Sequence, residues 1–179
     1  MTRWDRPAWR AAPWIAAVTL IAFDQITKQL ALSRLADGPF DVIGSLRFRL
    51  TFNSGMAFGA GAGWGPLIGG IAIAVVAYLI RTIRRHEPGP TAVALGVLMG
   101  GAAGNLIDRL VRDEGWLRGS VVDFVDLGWF PVFNVADAAI NVGAVLLILA
   151  VWIESRQAPD GASDDERADA AHRGDRGES

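Results

Sequence analysis

Four long apolar tracts, separated by short charged segments, dominate the hydrophobic pattern of this 179-residue chain. Each tract approaches the roughly 20 apolar residues that a helix needs to cross the hydrocarbon core of a membrane. The second tract is short on its own, but it can extend by a turn at either end. The pattern therefore predicts a membrane all-α fold, a four-transmembrane-helix bundle within a domain of residues 1–156. The predicted spans are about 13–32, 66–82, 91–110 and 134–154.

The first tract has a second interpretation, because Arg3, Arg6 and Arg10 precede its apolar core as they would in a cleavable signal peptide. The tract continues, however, through FDQITKQLALSR, which is a poor cleavage region. Cleavage would also remove Asp24 and Lys28. We therefore expect a retained span.

The two long connections, residues 33–65 and 111–133, lie on the same side of the predicted membrane. The first contains SLRFRLTF, whose alternation predicts a strand with one apolar face, followed by the flexible connection GAGAGWGP. This segment is too short for a separate domain, so we expect a small sheet packed on the mouth of the bundle. Trp116, Trp129 and Phe130 of the second connection suit the membrane interface.

Arginine placement predicts the orientation, since positive loops stay in the cytoplasm. The basic N-terminus and the compact hairpin RTIRRHEPGP favour a topology with both termini inside and both long connections outside. The excess of inward arginines is small. Residues 157–179 are polar and cannot bury a core, so they predict a disordered acidic tail.

The amino-acid composition excludes several kinds of catalytic and metal-binding site. The chain has no cysteine, which excludes disulfides, thiolate metal sites and a cysteine nucleophile. Its two histidines, His86 and His172, lie in charged segments, which argues against a catalytic triad and against histidine-bound zinc. No basic stripe interleaves with aromatic residues, so we expect no nucleic-acid partner. Any acid–base chemistry must depend mainly on carboxylates.

Charged side chains at membrane depth are costly and usually face a protein interior. Asp24 and Lys28, four residues apart, share one helix face and predict a buried ion pair that fixes helix packing. In the third span, Gly96, Gly100 and Gly104 recur every fourth residue, a spacing that lets another helix approach closely.

The outer end of the third span carries Asn105, Asp108 and Arg109 on one face. These residues either cap the helix among lipid headgroups or line a site where Arg109 holds an anionic or carbonyl group. Neighbouring Asp108 and Arg109 point in different directions, so we do not expect them to pair. In FNSGMAFG, Asn53 and Gly55 predict a turn.

Two aspartates flank the start of the fourth span. Asn134 is predicted to be its N-cap, which places Asp137 at the third helical position, facing free N–H groups that favour its charged form. Asp123, in SVVDFVD, has apolar neighbours and no obvious cation, so it should resist ionisation. Two such acids brought together share one proton and can activate water against an amide. A proton-coupled transporter and a structural membrane subunit remain alternatives.

With these residues assembled, the sequence resembles the bacterial lipoprotein signal peptidases, or signal peptidase II family, over roughly residues 14–155. Five blocks carry the resemblance in order. They are DQITK (24–28), NSGMAFG (53–59), GGAAGNLIDR (100–109), VVDF (121–124) and FNVADAAI (133–140).

The resemblance implies an aspartic endopeptidase of the bacterial inner membrane that acts near its outer face without a cofactor. Such an enzyme cuts prolipoproteins just before a diacylglyceryl-modified cysteine, so its partners are that substrate and membrane lipids; we expect a monomer. By the resemblance, Asp123 and Asp137 form the catalytic dyad, and Asp126 lies outside the matched position. Residues that line the site and hold the substrate backbone would be Asn105, Arg109 and Asn134. Residues that support its shape would be Asp24, Lys28, Asn53, Gly104 and Asp108. The outer sheet would cradle the substrate.

Overall fold

The structure, a computed structural model, describes residues 7–55, 64–112 and 116–157. Four helices make up most of this part of the chain, and all four are long and apolar enough to cross a membrane. They are α1 (Pro7–Arg34), α2 (Gly65–Arg85), α3 (Pro90–Val111) and α4 (Val135–Gln157). The predicted four-helix architecture is confirmed.

A three-stranded antiparallel sheet, in the order β1-β2-β3, packs at one end of the bundle. Its strands are β1 (Phe40–Ile43), β2 (Leu46–Asn53) and β3 (Val121–Asp126). A tight turn at Gly44, whose φ is +57°, joins β1 to β2. β3 comes from the second long connection, so pairing β2 with β3 joins the two connections over the end of the bundle.

α3 is the central helix, and its glycines set how closely its neighbours approach. A Cβ at Gly96 would collide with the backbone of Pro13 on α1, and a Cβ at Gly100 would lie 3.0 Å from Ala17 O. The predicted close approach along this stripe is therefore confirmed, and its partner is α1. α4 packs on another side of α3, where Gly101 meets the start of α4.

Three helix boundaries differ from the predicted spans by at least three residues: the start of α1, the end of α2, and the end of α4, which lies at Gln157 and not near residue 154. α1 begins at Pro7 rather than near residue 13, because Pro7 suits a first helical position and Pro13 is accommodated inside the helix. α2 extends to Arg85, the additional turn that its short apolar tract needed. Strand β1 was not predicted. Most of the predicted flexible connection and all but the first residue of the predicted disordered tail lie outside the described residues.

The outward faces of the helices are apolar. On α4, for example, Val145, Ile148, Leu149 and Trp152 are exposed, while the buried residues on its inner side are small, such as Ala139 and Ala150. Exposed apolar stripes of this length are typical of helices that contact lipid.

Candidate active site

A fully buried lysine lies at the centre of the polar cluster beneath the sheet. Lys28 Nζ is 2.8 Å from Asp24 Oδ2, 2.8 Å from Asp108 Oδ2 and 2.9 Å from Asn105 Oδ1. Lys28 is 0 % exposed, and an ammonium group removed from solvent is stable only when its three donors find partners. The predicted Asp24–Lys28 pair is thus part of a larger network that also binds α3.

The two carboxylates that bind Lys28 connect the helices to the elements that carry Asp123 and Asp137. Asp24 Oδ1 accepts a hydrogen bond of 2.9 Å from the backbone N–H of Ala136, at the start of α4. Asp108 Oδ2 accepts one of 3.1 Å from the N–H of Val122 on β3. The network therefore fixes where β3 and α4 begin relative to each other.

Gly104 leaves the space that this network needs. A Cβ at Gly104 would lie 2.6 Å from Asp24 Oδ2 and 3.3 Å from the Cβ of Ala136. No real side chain tolerates the first distance, so only glycine lets the Asp24 carboxylate pass between α3 and α4.

Two asparagines hold Asp123 and Asp137. Asn134 Nδ2 donates to Asp123 Oδ1 at 2.6 Å, and Asn105 Nδ2 donates to Asp137 Oδ1 at 2.8 Å. Asn134 Nδ2 also donates to Asn105 Oδ1 at 3.1 Å, which joins the two amides. One continuous chain of hydrogen bonds therefore runs from Lys28 through both amides to both carboxyls.

Backbone hydrogen bonds at the start of α4 also hold Asp137 in place. The backbone N–H of Asn134 donates to Asp137 Oδ2 at 3.1 Å, and the N–H of Asp137 donates to Asn134 Oδ1 at 2.9 Å. This reciprocal arrangement is a capping box, with Asn134 as N-cap and Asp137 at the third helical position. Both placements were predicted from the sequence and are confirmed.

Asp123 lies on β3 and is only 3 % exposed. Burial, followed by the nearby charge of Asp137, raises its pKa from 3.8 to about 6, although hydrogen bonds from Asn134 and Asn53 oppose the change. The effect of Asp137 requires the two carboxyls to be near neighbours. Asp123 therefore holds its proton to a higher pH than an ordinary carboxyl does.

The expectation that Asp123 has no cationic neighbour is wrong, because Arg109 lies near it. Its charge interacts with those of Asp123 and Asp137, because α3 brings its guanidinium to the same end of the bundle. Nη2 donates to the carbonyl of Gly55 at 3.3 Å, whereas Nη1 is buried and has no hydrogen-bond partner among the described residues. As predicted, Asp108 turns the other way, toward Lys28 and Arg112.

Asp126, the third aspartate of this segment, has different surroundings. Its Oδ2 lies 2.8 Å from Arg47 Nε and 2.9 Å from Arg49 Nε, and its Oδ1 accepts a 2.8 Å bond from the N–H of Gly128. The Gly128 bond and the arginines lower its pKa. Asp126 thus ties β2 to β3 and shapes the turn after β3.

The structure gathers every site residue named from the sequence at one end of the bundle. Sequence reasoning missed Gln25, whose amide bonds Asp108 Oδ1 at 3.1 Å and the carbonyl of Gly104 at 3.0 Å, and Arg112, which pairs with Asp108 at 2.6 Å. The four-residue spacing of Asp108 and Arg112 was a usable signal. Gln25 gave none.

An apolar cavity of about 480 Å³ separates α1 from the sheet. Leu30, Phe40, Phe48 and Phe124 line it, and Arg34 lies at its margin. The cavity can hold apolar groups but offers no acid or base. Among the described residues, no three histidine, aspartate or glutamate side chains converge in a way that could hold a metal ion.

Fold and site together define a multi-pass membrane protein with two aspartates that are joined by hydrogen bonds through two asparagine side chains, beneath the sheet at one end of the bundle. A family model described as signal peptidase (SPase) II matches residues 16–153. The chain therefore belongs to the signal peptidase II family of bacterial membrane peptidases, which confirms the resemblance drawn from the five blocks.

Individual relatives support the same family assignment. The lipoprotein signal peptidase of Mycobacterium avium (strain 104) is 43% identical over 148 residues, 81% of this chain and 81% of that protein. The lipoprotein signal peptidase of Rhodococcus jostii (strain RHA1) is 41% identical over 150 residues, 83% of this chain and 75% of that protein. A bacterial membrane enzyme solved in meso at 2.3 Å resolution superposes with a TM-score of 0.71 at 29% identity, covering 85% of this chain and 94% of that one.

Proposed function

We propose that this protein removes the signal peptide from prolipoproteins, cutting on the N-terminal side of a diacylglyceryl-modified cysteine, with Asp123 and Asp137 as an aspartic dyad. One observation carries the proposal: Asn134 and Asn105, bonded to each other, each hold one of the two carboxyls. A pair of acids fixed this way, one with a pKa of about 6, can divide the roles of acid and base.

Water attack is the first chemical step. Asp137, held by two N–H donors, takes a proton from the attacking water. The water oxygen bonds to the scissile carbonyl carbon while Asp123 gives its proton to the carbonyl oxygen. The product is a neutral tetrahedral diol, with the proton now on Asp137.

Collapse of the diol completes the cycle. Asp137 gives its proton to the amide nitrogen, and the carbon–nitrogen bond breaks as one diol hydroxyl returns its proton to Asp123. The new amine belongs to the lipid-modified cysteine, and the new carboxyl to the signal peptide. Both aspartates are then in their starting states.

Substrate binding would use one guanidinium nitrogen of Arg109. Arg109 Nη1 is a buried donor with no partner among the described residues, so a backbone carbonyl of the substrate would satisfy it. Gly55 accepts a bond from this guanidinium and Asn53 bonds Asp123, so we expect the peptide to lie beside the end of β2. The substrate's signal helix would approach laterally, through the lipid.

Membrane orientation follows from the substrate. A diacylglyceryl-cysteine is anchored in the outer leaflet, so the sheet and the dyad would face the extracytoplasmic side and both termini the cytoplasm. The cluster of buried charges at the sheet end also separates this proposal from a proton-coupled transporter, which needs charged groups along the whole path. In the described part of the chain, the buried charged residues all lie near the sheet: Asp24, Lys28, Asp108, Arg109, Asp123 and Asp126.

A synthetic lipopeptide tests the proposal. Purified protein should cleave a peptide with a diacylglyceryl-cysteine at the bond before that cysteine, as identified by the masses of both products. The same peptide with an unmodified cysteine should stay intact. Cleavage of both peptides at equal rates, or of neither, would contradict the proposed specificity.

A further inference from the structure

The hydroxyl of Thr51 is a buried polar group without a hydrogen-bond partner among the described residues. Thr51 lies on β2 directly opposite Asp123 on β3. Directly opposite residues of antiparallel strands share a face of the sheet, with Cβ atoms about 4.5–5.5 Å apart. The side chains of Thr51 and Asp123 are therefore neighbours on one face of the sheet.

An irregularity in β2 creates this pairing. Phe48 pairs with Val125 and Thr51 with Asp123, so β2 carries one more residue than β3 between these two pairs. In a regular ladder, Leu50 would face Asp123 instead. Insertions of this kind turn side chains toward new partners and occur often beside active sites. The local fold thus exchanges an apolar neighbour of Asp123 for a hydroxyl group.

A purely structural role does not account for a hydroxyl at this position. A buried hydroxyl without a partner destabilises the fold, because it has lost its hydrogen bonds to water. Valine has the same shape as threonine, suits a strand equally well and carries no such cost. The group would be satisfied by a water molecule that also bonds Asp123, since the two side chains are neighbours that make no direct hydrogen bond.

We propose that the Thr51 hydroxyl binds the water molecule that attacks the substrate, holding it against the carboxyls of Asp123 and Asp137. The inference rests on the proposed function. Three polar partners are a typical number for an ordered buried water. Thr51 accepts one hydrogen of the water and leaves the other directed at Asp137, so that an oxygen lone pair faces the scissile carbonyl carbon. Thr51 would then be a catalytic residue in contact with the nucleophile.

Substitution by valine and by serine tests this assignment. In Thr51→Val, kcat for lipopeptide cleavage should fall by about 10- to 100-fold, the cost of losing alignment of a reacting group. KM should stay within about twofold, because the hydroxyl is assigned to the water and not to the peptide. Thr51→Ser, which keeps the hydroxyl, should restore kcat to within about threefold of the parent. Thr82→Val, at the far end of α2, is the matched control.

Stability separates a catalytic from a structural role. Thr51→Val should melt at the same temperature as the parent or higher, because it removes a buried unsatisfied group. Unchanged kcat in Thr51→Val, or a joint loss of kcat and melting temperature that Thr51→Ser does not rescue, would overturn the assignment. If Thr51→Val does not fold, Thr51→Ala and Thr51→Ser are compared under the same criteria.

Asp123→Asn is assayed in parallel: its inactivity beside a fully active Thr51→Val refutes the Thr51 proposal alone, whereas an active Asp123→Asn refutes the dyad.

Discussion

Asn134 and Asp137 exchange two hydrogen bonds across the first turn of α4, at 3.1 Å and 2.9 Å. The same Asn134 side chain donates a 2.6 Å bond to Asp123. One residue therefore both starts the helix and sets the relative position of the two acids. The geometry of the proposed dyad depends on the helix cap.

Asn134→Asp should separate these two roles. Aspartate caps a helix as well as asparagine does, so α4 should keep its start. The amide donor to Asp123 is replaced by an oxygen, which places a third acid against the dyad and disturbs its single shared proton. We expect kcat to fall by at least about 100-fold, as for loss of acid–base catalysis, with the helical circular dichroism signal unchanged. Near-parental kcat would mean that the bond to Asp123 has no part in catalysis.

Asp123 should make folding stability depend on pH. Its folded pKa of about 6 exceeds the ordinary value of 3.8, so between these values the folded protein keeps a proton that the unfolded chain has lost. Its contribution to stability is therefore greatest at low pH and is lost as the pH rises toward 6, by about 3 kcal/mol in total.

The comparison with Asp123→Asn isolates this effect, because other carboxyls titrate in the same range. The melting temperature of the variant minus that of the parent should increase between pH 4 and pH 7 and then stay constant. A constant difference across that range would show that Asp123 has an ordinary pKa.

Lys28→Met should strongly destabilise the protein. Lys28 pairs with both Asp24 and Asp108, and its removal leaves Asp24 buried without a cation while Asp108 keeps Arg112, at a cost of about 3–5 kcal/mol. Arg47→Met is the control, since Arg47 is 43% exposed and Asp126 keeps its bond to Arg49; its loss should lower the melting temperature much less. Thermal unfolding in detergent measures both. Equal losses would mean that the Lys28 network does not hold the bundle together.

Gly104→Ala tests the space left for Asp24. The added methyl would lie 2.6 Å from Asp24 Oδ2, so the carboxylate must shift and weaken its bond to Ala136. We expect a lower melting temperature and lower activity. Gly70→Ala on α2, where a Cβ meets nothing within 4 Å, should be neutral or slightly stabilising, since alanine favours a helix over glycine. The prediction fails if the two variants behave alike.

The spans and the helix cap were accessible from the sequence because they depend on local signals. Hydropathy over about 20 residues identifies a span, and Asn134 three residues before Asp137 identifies a cap. The Asp24–Lys28 pair was accessible for the same reason, since four residues are one helical turn.

Contacts between elements were not accessible, because they depend on how helices rotate and how strands align. Nothing in the sequence pairs Lys28 with Asp108 or brings Arg109 near Asp123; the glycine stripe sets the first by fixing α1 on α3. The insertion in β2 that places Thr51 beside Asp123 is visible only in the register of the sheet. One residue of slippage would reverse that placement.

Single amide substitutions of the three neighbouring aspartates test whether Asp123 and Asp137, and not Asp126, activate the attacking water. Cleavage of a diacylglyceryl-cysteine lipopeptide is measured for purified, folded Asp123→Asn, Asp137→Asn and Asp126→Asn. We expect no detectable cleavage by the first two and near-parental kcat for the third, which loses its ion pairs with Arg47 and Arg49 but keeps an oxygen that can accept from the N–H of Gly128. Sustained cleavage by folded Asp123→Asn or Asp137→Asn would contradict a mechanism in which these two acids activate the water.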